Sequence, residues 1–218
     1  MLSVMSSPVA TAISTRSTTK VMFDPNAPSR GATDNKTLED LVALAGWAPF
    51  HKPAHRSHWH GARTIEPWRF YMANTKTCRS LIGFIEANAE KAGRLPQMLA
   101  AAEALVLATW LPDPPDGEEP FDGLFQPTIG NMEHIAAAGA AVQSFLLAAT
   151  ERNLTTYWSS GGFIRQKPTF EYLGIPTTEV LLGAIFVLPD EGGQRIPGSL
   201  RDKRSDAPKW SRWVTPRA

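Results

Sequence analysis

The sequence predicts a mixed α/β chain folded as one domain over residues 1–218, and three observations predict it. Two apolar runs, Ala104 to Leu111 and Val180 to Leu188, read as buried strands. Apolar residues recur at helical spacing elsewhere: Leu38, Leu41, Val42, Leu44 and Ala45, then Leu81, Ile82, Ile85 and Ala89. Composition is that of a folded core, with 43% hydrophobic and 20% charged residues among 218. A chain of this length buries roughly 70% of its unfolded surface and needs no disulfide or metal to hold together.

Taken in order, Ser6 or Ser7 caps a first helix whose opening turn contains Pro8, where a missing N–H costs nothing. Asp24 to Asp34 is rich in Pro, Gly and Asn and reads as loop. Thr37 with Asp40 makes a start resembling a capping box for a second helix, which ends before Pro49. His51 to Ile65 is a polar, aromatic stretch without period, within which 54–64 is a variable insertion. Trp68 to Met72 forms a short strand, anchored at an edge by Pro67 and its aromatics. Lys76 to Ala92 is helical, an Ala-rich turn leads into the strand from Ala104, and Pro112 to Pro127 is a long loop. Met132 to Arg152 is the longest helix, apolar on nearly every face, so it lies buried in a core or between subunits. Leu154 to Trp158 is a strand, Phe170 to Leu173 a helical turn, and 190–218 an extended Gly/Pro/Arg-rich arm.

Lys and Arg total 22 against 21 Asp and Glu, a net charge of +1, which argues against a dedicated nucleic-acid binder. The lone Cys78 permits no internal disulfide and fits an intracellular, cytoplasmic protein. The stretch His134 to Thr150 is too short for a confident membrane span, and no membrane partner is expected. The first positive charge is Arg16 and no compact apolar core precedes it, so a secretory signal is not expected. The Ser/Thr-rich, acid-poor start superficially suits a transit peptide.

No GxGxxG after a strand, GxxxxGK[ST], GxSxG or HExxH occurs. Four shorter pieces remain. His51, His55, His58 and His60 fall within ten residues, suiting either a metal-binding loop or a solvated one; their spacing matches no standard zinc pattern. Thr15-Arg16-Ser17 with Lys20 suits a phosphate monoester, or a solvated helix end. Glu66-Pro67-Trp68-Arg69 is the start of the edge strand. Trp158-Ser159-Ser160-Gly161-Gly162 lets backbone N–H groups lie against a flat or anionic ligand, or makes an ordinary turn.

The order of these pieces, followed by Leu173-Gly174-Ile175-Pro176 and an apolar strand, resembles the flavin-dependent nitroreductase family, in its small single-domain branch, over most of Thr15 to Leu188. The resemblance implies an α+β fold with a central, mostly antiparallel sheet flanked by helices, in an intertwined homodimer holding FMN at the subunit interface. It implies that Thr15, Arg16 and Ser17 grip the FMN phosphate with a C-terminal cation, Arg201, Lys203 or Arg204. Pro49, Phe50, His51 and Lys52 would reach the flavin of the other subunit, and Trp158, Ser159, Ser160 and Gly161 would run along its ring. No side-chain catalyst and no metal are implied, because flavin N5 would carry hydride from NAD(P)H to a nitroaromatic, quinone or enone acceptor. The role of Arg16 and Ser17 implies that the N-terminal segment is retained. The sequence departs from the family pattern at Thr15 and Thr19, where further arginines are common, and at Glu66, where an amide is common. It also lacks the glycine expected before Pro189 and carries the insertion. The alternatives are a flavin- or ligand-binding protein of this fold without efficient turnover, and a metal-binding protein using the histidine loop.

Overall fold

The structure is a computed structural model and describes residues 7–28, 31–59, 64–115 and 123–216. Its helices are α1 (Pro8–Thr15), α2 (Asn35–Ala45), α3 (Thr75–Asn88), α4 (Leu95–Ala101), α5 (Ile129–Glu151) and α6 (Lys167–Leu173). The strands are β1 (Thr19–Met22), β2 (Trp68–Asn74), β3 (Ala104–Trp110), β4 (Thr155–Ser159), β5 (Val180–Leu188) and β6 (Gln194–Pro197). Four strands form one antiparallel sheet in the order β2-β3-β5-β4. With β2 at an edge, Pro67 precedes a strand whose outer side needs no ladder donor.

The two mainly apolar runs, β3 and β5, are the central strands. Their side chains alternate between two cores because successive residues point to opposite faces. Leu105, Leu107 and Phe186 join Leu81, Ile85 and Leu99 of α3 and α4, whereas Val106 and Ile185 join Leu41 of α2 and Phe145 and Leu146 of α5. Small residues of α5, Ala137, Ala138 and Ala141, let Trp68 and Trp110 pack against the helix. By length and composition α5 would also cross a membrane, but its buried face is committed to the sheet. Ile129 and Met132 stay exposed on its other side.

Several elements differ from the sequence expectation. Asp34, not Thr37, caps α2: its carboxylate accepts from the Thr37 N–H at 2.9 Å and starts the helix two residues earlier. Helix α3 stops at Asn88, and α4 follows, with Pro96 in its first turn where proline suits a helix start. Strands β1 and β6 pair from Thr19–Pro197 to Met22–Gln194, so part of the C-terminal arm is zipped to the N-terminal segment. Beyond Gly198 the described residues of the arm, 199–216, are exposed.

Cys78 lies on the inner side of α3 at 0% exposure. Burial pushes its thiol up to about 12 from 9.0, more than offsetting the lowering by Arg79. Tyr71, raised first by burial and then by Glu179, shifts the same way. Both folded values lie above the unfolded ones, so this stability is present below the unfolded values and is lost as pH rises through the folded ones. The expected outcome is a urea midpoint that falls steadily above pH 9, less so in Cys78→Ala. Native Cys78 should resist a thiol-reactive dye at pH 8 and react once urea unfolds the chain; prompt native reaction would contradict this burial.

Candidate functional site

A cavity of about 520 Å³ opens where three parts of the chain meet. Strand β1 contributes Lys20, the α3–α4 connection contributes Lys91 and Arg94, and the end of β4 contributes Ser159, Ser160, Gly161 and Gly162. Three cations and no carboxylate line it, so it attracts an anionic or electron-rich ligand. Lys20 Nζ lies 5.1 Å from the centre of the Tyr157 ring, a cation–π contact that fixes the ammonium at the wall. The turn after β4 depends on its glycines. Gly161 has φ 97° and Gly162 φ 54°, left-handed conformations that favour glycine. A Cβ on Gly161 would lie 2.5 Å from Leu181 Cδ2. The Gly161 N–H donates to Ser159 Oγ at 3.1 Å. Behind the turn, the Trp158 indole crosses Gly183 so closely that a Cβ there would stand 1.8 Å from Nε1.

A second cationic group forms at the end of α1. The Arg201 guanidinium donates to the carbonyls of Ser14 and Arg16, tying the arm to the helix terminus. Burial first, then the charges of Arg204 and Arg201, lower the Arg16 guanidinium below its ordinary value. None of the three arginines pairs with a carboxylate among the described residues. Like charges gathered without counter-charge cost stability until an anion joins them. Arg16 and Lys20 are four residues apart, at most about 14 Å along the chain, so one segment serves both cationic groups.

Other candidates lie elsewhere. Thr15 and Ser17 line a separate cavity of about 250 Å³ with Thr19, Thr150, Asn153 and Thr155, which have no charge. Trp158 is partly exposed, and the Lys203 side chain is exposed beside Arg204. His51 is exposed, and Lys52 lines a third cavity, of about 430 Å³, with His55, Asp113 and Asn131. Lys52 Nζ is 3.9 Å from Glu133 Oε2, and neither Lys52 nor His51 shares a wall with the Ser159–Gly162 turn within one protomer. His58 is buried with Nε2 2.8 Å from Pro112 O, His55 Nδ1 accepts from the Ser57 N–H at 3.2 Å, and His60 lies outside the described residues. Among the described residues no three His, Cys, Asp or Glu side chains are arranged to hold a metal ion. Arg69 donates to the carbonyls of Glu66 and His58 and to Thr64 Oγ1, clamping the two ends of the insertion. Lys91 and Arg94 escape the sequence reading because a helix drawn to Ala92 makes Lys91 a surface charge and leaves Arg94 in a bare connection; the Gly93 between them is the available signal of a turn.

Central antiparallel sheet, helices on both faces and a cation-lined cavity at a glycine turn define an α+β protein suited to an anionic ligand. The Nitroreductase family model matches residues 13–187, and the chain belongs to that family. Solved structures agree in fold. A nitroreductase-like family protein from Bacillus cereus is 21% identical, with 94% of this chain and 98% of that one covered at a TM-score of 0.59. A putative nitroreductase in complex with FMN from Desulfovibrio desulfuricans is 21% identical over 94% and 99%, at 0.56. A nitroreductase with bound FMN from Bacteroides fragilis is 15% identical over 87% and 96%, at 0.51. A comparison with curated proteins gave no match.

Gly183→Ala should displace the Trp158 indole and destabilise the fold by about 1–3 kcal/mol, the usual cost of overpacking. Near-ultraviolet circular dichroism and urea unfolding measure both effects; an unchanged aromatic spectrum would show that the indole does not lie across Gly183.

Proposed function

We propose that this chain, a flavin oxidoreductase by family, binds FMN and uses NAD(P)H to reduce a nitroaromatic, quinone or enone acceptor. One observation carries the reading: Arg16 and Lys20, on a single segment, connect an arginine cluster without an ion-paired carboxylate among the described residues to a cavity that no carboxylate lines, beside a glycine turn. That donor set fits a cofactor with a phosphate at one end and an electron-rich ring at the other. Arg16, Arg201 and Arg204 hold the phosphate; their guanidinium forks match its oxygens. Lys20, Lys91 and Arg94 face the electron-rich edge of the ring, and Ser159, Ser160 and Gly161 lie along it. Thr15 and Ser17 support the segment from the neighbouring cavity. When bound, FMN would supply the two-electron chemistry between NAD(P)H and the acceptor.

A homodimer completes this reading. Val9 and Ile13 of α1 are 65% and 55% exposed, Ile129 and Met132 of α5 are 72% and 64%, and Trp210 and Trp213 of the arm are 72% and 101%. Apolar surface on this scale suits burial against a second protomer. That contact would bring His51 and Lys52 to the partner's flavin, which explains their distance from the turn of their own chain. The buried, unpaired Cys78 fits a cytoplasmic setting.

Purified protein should be yellow and release FMN on boiling. Arg16→Ala should bind FMN roughly 10–100-fold more weakly, the loss of one or more charge-assisted hydrogen bonds; undiminished flavin content would remove Arg16 from the phosphate site. Stopped-flow mixing with NADH or NADPH should bleach the flavin within seconds, whereas persistent colour would favour a binding protein without turnover. Light scattering at micromolar concentration should give a dimer.

A further inference from the structure

We infer that Arg165 is a positioning residue for the Ser160–Gly162 turn. Arg165 follows the turn on a 3-10 segment, Gly162–Arg165. Its Nε donates to the Ser160 carbonyl at 2.8 Å, and Nη2 donates to the Leu181 carbonyl on β5 at 3.3 Å. One planar group therefore ties the turn to a central strand of the sheet. Ser159, Ser160, Gly161, Gly162 and Phe163 line the 520 Å³ cavity, but Arg165 does not. The Ser160 carbonyl is thus held from outside the cavity. In a trans peptide the following N–H points the opposite way. The Gly161 N–H accordingly turns to the cavity side, where the Ser159 hydroxyl of the same wall receives it.

Two local bonds, from the Gly161 N–H to Ser159 Oγ and from the Ile164 N–H to the Gly161 carbonyl at 3.0 Å, close the turn on itself, and the clamp is what fixes it to the sheet. Gly161 and Gly162 both lie at positive φ, and two glycines give the turn the widest conformational freedom of any residue pair. The fork of Arg165 supplies the restraint that their side chains do not. Arg165 also forms no ion pair among the described residues, so its charge behind the turn is not neutralised by a salt bridge. Resting on the flavin reading, the consequence is twofold. The turn presents a preset hydrogen-bonding wall to the ring, and a positive charge behind it favours the more electron-rich, reduced ring over the oxidised one.

The side chain is exposed, so Arg165→Ala should fold normally, as thermal unfolding will show. In flavin-free protein, amide exchange at Gly161 and Ile164 should accelerate at least tenfold in Arg165→Ala; unchanged exchange overturns the inference whether or not flavin binds. In FMN-loaded protein, Arg165→Ala should lose about tenfold of its preference for reduced over oxidised FMN, a fall in midpoint potential of about 30 mV for a two-electron couple. Arg165→Lys should restore the potential but not the amide protection, because an ammonium cannot span both carbonyls with a rigid fork. A potential unmoved in Arg165→Ala overturns the charge component. Wild-type protein that stays colourless in excess FMN would overturn the flavin reading alone, since the exchange measurement still decides what Arg165 does to the turn.

Discussion

Strands β3 and β5 are covered on both faces, by α3 and α4 on one side and by α2 and α5 on the other. A slip of one residue would exchange these two sets of neighbours and strand Leu105, Leu107 and Phe186 against the wrong helices. The register of this pair therefore positions the ends of the sheet. At one of those ends, Leu181 lies under Gly161 and Gly183 under the Trp158 indole, so β5 is the floor on which the glycine turn is built.

Around that floor the distribution of charge is uneven. A chain with nearly balanced totals of 22 cations and 21 acids nonetheless puts Arg16, Arg201 and Arg204 in one place and Lys20, Lys91 and Arg94 in another. Such segregation weakens the fold through self-repulsion and creates the field that captures an anion. The acids serve elsewhere: Asp34 caps α2, and buried Glu179 accepts from Tyr71 at 2.8 Å and Thr109 at 2.5 Å. Carboxylates are thus spent on holding elements together, leaving the cavity wall uniformly positive.

Local pattern made the central strands and long helices legible, since uninterrupted apolar runs and helical spacing are written within ten or twenty residues. Strands β1 and β6 carried no such trace: each has four residues, and each is a strand only because the other lies beside it, some 170 positions along the chain. The site was legible in parts. Arg16 and the Ser159–Gly161 segment stand out through the family resemblance, whereas the uncharged cavity that Thr15 and Ser17 share with Thr19 has no local trace. Lys91 and Arg94 belong to the cavity through the break between α3 and α4; Gly93, at φ 57°, marks the break locally, but which cavity it feeds depends on how the two helices pack.

The β1–β6 ribbon bears on the order in which the molecule is made. Arg201 bonds to the carbonyl of Arg16 across 185 positions, so the arginine cluster has no existence while the ribosome is still adding the tail. Nascent chain that has already folded its central sheet would still lack the arginine cluster. On the reading proposed above, loading with a phosphorylated ligand would wait for Arg201 and Arg204, and a chain clipped before them would keep its central sheet but load poorly.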